Sequence, residues 1–269
     1  MKLAYSTLGC PEWDFETIVS RAAEMGFGAV EIRGIGQELQ TEKLPCFLPE
    51  NRKRTRERLK ENGISICCIG TSCCFHNPEA LPAALEEGKR ALDICAEWGI
   101  PAIRVFGDRL PPEETPAAVV KRAAGAIREL CSHAASSGNP ARVLLEIHGD
   151  FCTPEILVQL GGQLADCPNF GWLWDIEHGY QAEQGFFPLY QAVRDRLVHV
   201  HIKDCRGGTT AVLPGTGELP IEAIVRRLLE DGYGGWFSFE WEKRWQPDIP
   251  EPETAFPAYV RFMRRIAGN

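Results

Sequence analysis

The sequence is short of what would take a protein to a membrane or to nucleic acid. No apolar run approaches the ~20 residues of a bilayer span, which excludes a transmembrane helix. Basic residues are outnumbered, 29 Lys and Arg against 37 Asp and Glu, for a net charge of −8. That balance withholds the cationic face that phosphates demand, so no nucleic-acid partner is expected. The N-terminus Met1-Lys2-Leu3-Ala4-Tyr5-Ser6 has one basic residue and no long apolar core, so no signal peptide is read and a cytoplasmic protein is expected. There is no Gly-x-Ser-x-Gly elbow. Gly215-Thr216-Gly217 lacks the third glycine and the strand-to-helix context of a dinucleotide fingerprint, so no nucleotide cofactor is expected. Cysteine is plentiful, at eleven residues, but the paired-zinc spacing C-x2-C is missing. Cys67-Cys68 and Cys73-Cys74 are adjacent in sequence, and adjacent strand residues face opposite sides. They read as reduced, structural thiols.

What is present is alternation. With 44% hydrophobic and 25% charged residues, the chain can build a large core. Short apolar runs at 2–7, 29–33, 64–70, 102–106, 142–147, 170–175, 197–202 and 235–240 read as strands buried on both faces. Helical patterns follow at 14–25, 51–61, 81–98, 113–135, from Thr153-Pro154 onward, 220–230 and 254–267. Strand–helix alternation implies parallel strands joined by crossovers, and eight units in 269 residues is the count for a closed (β/α)8 TIM barrel of α/β class. One domain spanning 1–269 is expected. The runner-up is a doubly wound sheet, whose Gly-rich first turn is replaced here by Thr7-Leu8-Gly9-Cys10-Pro11.

Four of the strands end in acid or His. They are Leu144-Leu145-Glu146-Ile147-His148, Trp172-Leu173-Trp174-Asp175-Ile176-Glu177-His178, Val198-His199-Val200-His201-Ile202-Lys203-Asp204 and Phe237-Ser238-Phe239-Glu240-Trp241-Glu242. A strand interior cannot bury such charges unpaired, but the carboxyl ends of barrel strands form the functional face. Neighbouring strands lie about 4.7–4.9 Å apart. Glu146, Asp175, His201 and Glu240, on consecutive strands five to eight, can therefore converge on one ion. Three carboxylates and an imidazole suit a divalent cation, Mn²⁺ first, with Mg²⁺, Co²⁺ or Zn²⁺ as alternatives.

Those strand endings resemble the xylose-isomerase-like barrels of the sugar (phosphate) isomerase/epimerase superfamily, which includes ketose 3-epimerases, hydroxypyruvate isomerase, inosose dehydratase and the endonuclease IV type of repair enzyme. The resemblance covers the whole topology and is sharpest in the second half. It implies that Glu146, Asp175, His201 and Glu240 bind the metal, that Glu146 and Glu240 are the acid/base pair, and that His178 and Arg206 contact substrate. The expected function is a metal-dependent isomerase or epimerase of a small sugar or sugar phosphate, moving a proton through a metal-bound enediolate. A cyclitol or sugar-acid dehydratase is the alternative. A repair endonuclease would need further histidines from strands two and three, where Arg33 and Gly70-Thr71-Ser72 stand; a non-catalytic sugar-binding barrel is the last rival.

Other residues carry two readings each. Lys203 shares parity with His201 and reads as the partner of Asp204 or a ligand carboxylate, or as a Schiff-base lysine. His148, Arg33 and Arg104 read as substrate contacts or as local ion pairs; His199 reads as a core histidine. Arg206-Gly207-Gly208-Thr209-Thr210 is a candidate phosphate loop. Trp241 to Pro247 reads as a pocket roof or as a contact in a homo-oligomer.

Overall fold

The computed structural model describes residues 1–138, 141–181, 185–208 and 210–268. Eight strands, β1 (Lys2–Ser6), β2 (Ala29–Ile32), β3 (Ser65–Cys74), β4 (Ala102–Phe106), β5 (Arg142–Ile147), β6 (Phe170–Asp175), β7 (Leu197–Ile202) and β10 (Trp236–Phe239), close into a barrel in the order β1-β10-β7-β6-β5-β4-β3-β2. The (β/α)8 expectation is met. Between β7 and β10 lies a small antiparallel hairpin, β8 (Asp204–Arg206) and β9 (Thr210–Val212). The helices are α1 (Phe15–Met25), α2 (Arg52–Asn62), α3 (Leu81–Trp98), α4 (Pro116–Ser136), α5 (Pro154–Gln163), α6 (Ile176–Gln181), α7 (Phe186–Val193), α8 (Ile221–Glu230) and α9 (Pro252–Ile266). Among the described residues no helix is long and apolar enough to cross a membrane.

The chain divides into two compact units, with boundaries inside β3 and β7. The first, Met1–Cys67 with Val200–Asn269, is built on aromatic rings. Tyr259 stacks on Phe239 at 4.5 Å, and Tyr5 packs on Phe256 at 4.3 Å. Both phenols are buried, and both find acceptors, Tyr5 on the Ile18 carbonyl and Tyr259 on that of Phe237. Helix α8 buries Ile221, Ile224, Val225 and Leu228, one stripe at helical spacing, each side chain contributing roughly 1.5–3 kcal/mol.

The second unit, Cys68–His199, holds β4, β5 and β6 in parallel register, with Phe106 opposite Glu146 and Glu146 opposite Leu173. Gly88 lets α3 approach α4, because a Cβ there would lie 2.9 Å from the Leu130 methyls. Thr115 caps α4 by accepting from Ala118 N.

Several boundaries differ from the sequence reading. Strand β3 runs to Cys74, four residues past Gly70, because Thr71 Oγ1 donates to the Arg104 carbonyl and accepts from Cys73 N across an irregular register with β4. Helices α6 and α7 lie where the sequence shows no helical pattern, and His178 sits on the first of them. Thr153 makes no side-chain cap bond at α5. The candidate phosphate loop joins β8 to β9, with Thr209 outside the described residues. The Gly207 N–H donates to Glu218 Oε1. The following Gly215-Thr216-Gly217 segment wraps the Asp204 carboxylate, which accepts from the N–H groups of Gly215, Gly217 and Leu219. A Cβ on Gly217 would lie 2.1 Å from Asp204 Oδ1. These donors serve a carboxylate of the chain itself.

All eleven cysteines stand outside any disulfide, ten buried and Cys74 half-buried. Burial pushes the Cys46 and Cys73 thiols up to about 12, so at mildly alkaline pH they hold almost no reactive thiolate. We expect a disulfide reagent to modify one thiol quickly in the native protein and the other ten only on unfolding. Cys74→Ser should remove the fast phase; several fast thiols would contradict the packing described.

Candidate metal centre

In the first unit the site begins with a carboxylate on β2. Glu31 is fully buried and lies with both oxygens 3.0–3.1 Å from His201 Nε2, while Ser238 Oγ donates to its Oε2. Accepting from Nε2–H assigns the imidazole proton to that nitrogen, which leaves the Nδ1 lone pair for another partner. Nδ1 lies 3.3 Å from Glu240 Oε2. Lys203, buried at 3% exposure, donates to Glu240 Oε2 and to Glu242 Oε1, both at 3.0 Å. The lysine thus pairs with a candidate ligand carboxylate. His199, two residues earlier on β7 and the last residue of the second unit, is buried, as a core histidine would be.

In the second unit Glu146 lies one residue from the end of β5 at 1% exposure, and Arg104 Nε lies 3.1 Å from its Oε2. The guanidinium also covers the Phe106 ring at 4.0 Å. Arg104 is therefore a partner of the glutamate. Asp175 ends β6 with no exposure. Its Oδ1 accepts from Glu177 N and His178 N, capping α6, and its Oδ2 lies 3.9 Å from His178 Nε2. The rings of His178 and His148 meet edge to face at 4.0 Å, and His148 Nδ1 lies 2.9 Å from Asp108 Oδ1. Burial works against the His148 charge. The hydrogen bond His148 donates to Asp108 and the charges of Glu146 and Asp175 outweigh it, and its pKa is raised. The same hydrogen bond holds Asp108 below the usual carboxylate range.

Glu146 and Asp175 in the second unit, and His201 and Glu240 in the first, are all buried. These donors fit a hard or borderline divalent ion: oxygen-rich, one neutral imidazole with its second nitrogen already held, and excess negative charge. Arg206, by contrast, is exposed on β8 and donates to the Thr216 carbonyl. Arg33 is half-buried just past β2, where its N–H donates to Thr7 Oγ1.

Sequence reasoning passes over Glu31, because no motif marks it. The signal available is a lone carboxylate inside the four-residue strand Ala29–Ile32, every residue of which is buried. Glu31→Gln keeps an acceptor for Nε2–H but loses the charge behind the imidazole. We expect it to weaken Mn²⁺ binding about 10–100-fold with the fold intact, as read by calorimetric titration. Unchanged affinity would make Glu31 a packing residue.

The family model described as xylose isomerase-like TIM barrel matches residues 19–266. The chain belongs to that family. Among curated relatives it is 28% identical over 98 residues to the inosose dehydratase of Bacillus licheniformis, covering 30% of this chain and 32% of that protein. The matched part spans about a third or less of the length of the curated relatives it resembles. Among solved structures it is similar to the apo form of a 3-keto-D-glucoside 4-epimerase from E. coli, at 23% identity and a TM-score of 0.78, with 98% of this chain and 99% of that one covered. It is likewise similar to the IolI protein with a binding zinc atom, at 18% identity and a TM-score of 0.80, covering 100% and 98%. At such identities the structural likeness is one of fold.

Proposed function

We propose that this family member is a divalent-metal-dependent isomerase or epimerase of a small sugar or sugar phosphate. The observation that carries the reading is the buried set of three carboxylates and one imidazole, two of whose members stand against a buried cation. Glu146, Asp175, His201 and Glu240 would hold the ion, with Mn²⁺ the first choice and Mg²⁺, Co²⁺ or Zn²⁺ as alternatives. When bound, a divalent ion there supplies Lewis-acid stabilisation of the negative charge that builds on oxygens beside a deprotonated carbon.

The chain supplies the proton transfers. One of Glu146 and Glu240 takes the proton from the carbon next to the carbonyl, and the other returns one. Arg104 and Lys203 give each glutamate a counter-charge at 3.0–3.1 Å, which lets both stay in place as charge moves. From Glu240 the hydrogen bonds continue through Lys203 to the partly exposed Glu242, a route by which a proton reaches solvent. His178 and His148 are assigned to substrate hydroxyls, the latter oriented by Asp108. Arg33 and Arg206 are left for a distal or phosphorylated end of the substrate.

Dehydration is the second reading, favoured by the sequence match to an inosose dehydratase. It needs the same first deprotonation followed by loss of hydroxide. Product analysis decides between the two: the Mn²⁺-loaded protein is incubated with free and phosphorylated ketoses, hydroxypyruvate and inosose, and the products are read by NMR. An epimer or aldose supports the proposal. A keto-deoxy product moves the protein to the lyases, and no product from any compound with metal bound counts against both.

A further inference from the structure

Beyond the four-residue group, the second unit carries a mixed set of metal-ligating side chains, of which only Asp108 enters the reading above, as the partner of His148. Cys74 ends β3, His76 follows two residues later, and Asp108 follows β4. All three are half-buried, and one ligand atom from each lies within 4.8 Å of the others. Cys74 is the single cysteine of the eleven that is not buried.

Three observations point to an ion. His76 Nδ1 is buried without a hydrogen-bond partner among the described residues, which a stable imidazole rarely tolerates. That nitrogen faces Asp108 Oδ2 at 3.6 Å, too long for a hydrogen bond. Two donors sharing a tetrahedral zinc at bond lengths of about 2.0–2.2 Å stand roughly 3.4 Å apart. Second, Asp108 is the one non-glycine residue with positive φ among those described, at 71°. Such a conformation persists where surrounding structure enforces it, and it clusters at functional sites.

Third, both ligand loops are clamped from outside. Arg122, itself bonded to Glu114, donates to the carbonyls of Phe75 and His76. The Asp108 carbonyl accepts from Asp150 N at 2.7 Å, and Asp150 in turn accepts from Leu110 N. The donors are fixed before any ion arrives, which lowers the cost of binding one.

We propose that Cys74, His76 and Asp108 form a zinc-binding site separate from the four-residue group. A thiolate with an imidazole selects a borderline-soft cation, Zn²⁺ over Mg²⁺ or Mn²⁺. Binding sends the thiol proton to solvent. Three protein donors leave the fourth position to water or a substrate oxygen. His148, bonded to Asp108 Oδ1, orients the carboxylate from behind. An adjoining cleft of about 480 Å³, lined by His76, Glu79, Glu113 and Glu114 among others, gives a cation an acidic approach.

The test uses the full chain, stripped with a chelator and reloaded with Co²⁺ or Zn²⁺. Wild type is expected to show the near-ultraviolet thiolate-to-cobalt charge-transfer band, and Zn²⁺ should protect the fast-reacting thiol. Cys74→Ser should abolish the band, and Asp108→Asn should weaken the ion about 10-fold or more. Glu240→Gln, which changes only the other group, should keep the band while losing turnover, so failure of either site is seen separately. If Cys74→Ser does not fold, as judged by circular dichroism, His76→Asn takes its place with the same expected loss. Absence of the band in wild type, its survival in a folded Cys74→Ser or His76→Asn protein, or an unprotected thiol would each overturn the proposal.

Discussion

Glu240→Gln is expected to lower turnover by about 10²–10⁴-fold, the usual contribution of a positioned acid or base. The amide matches the carboxylate in shape but cannot take a proton from carbon. Lys203 would lose one anionic partner and keep Glu242, so the local structure should hold. Because Glu240 is also a candidate ligand, metal content has to be measured alongside rate. A variant that still carries its ion and has lost kcat, with KM little changed, has lost an interaction of the transition state. Glu146→Gln should behave the same way with Arg104 as the bystander. Turnover within about 10-fold of wild type in either variant would remove that residue from the acid/base pair.

Arg104→Met is expected to destabilise the metal-free protein by about 3–5 kcal/mol, the cost of breaking a buried ion pair from one side. Both side chains of the Arg104–Glu146 pair are 2% exposed, so water cannot replace the guanidinium. Methionine fills much of the volume and can still lie against Phe106. If Glu146 is a ligand, a bound ion offers its carboxylate the missing positive charge, and the penalty should shrink when unfolding is measured in saturating Mn²⁺. The comparison is of urea midpoints for variant and wild type, stripped and loaded. An equal penalty in both states would mean that Glu146 does not meet the ion.

Much of this molecule is legible in its sequence because barrel strands, buried on both faces, leave continuous apolar runs. Strands β4, β5, β6 and β7 and helix α3 fall where the pattern puts them. The ends of β5, β6, β7 and β10 stand out for the same reason, since a charge beside such a run has no other use there. Where polar side chains fold back on backbone, the pattern fails. Thr71 prolongs β3 past its glycine, and Asp204 turns a glycine-rich stretch into its own cradle. Helix α6 begins directly at Asp175, whose carboxylate accepts from its first turn, so residues 176–178 show no helical pattern although they are helical. Glu31 is hidden because a single carboxylate among apolar neighbours looks the same whether it meets a histidine or a lysine. The pairings Arg104–Glu146 and Lys203–Glu240 join residues 42 and 37 positions apart, and no periodicity encodes such contacts.

The most direct measurement is solvent exchange at carbon. The stripped protein and the same protein reloaded with Mn²⁺ are each incubated in D₂O with the ketose panel, and the carbon-bound protons next to the carbonyl are followed by NMR. A metal-dependent proton-transfer enzyme incorporates deuterium there only when loaded, and Glu146→Gln or Glu240→Gln removes the incorporation. Exchange that proceeds equally without metal, or survives both substitutions in metal-loaded protein, would contradict the proposed site.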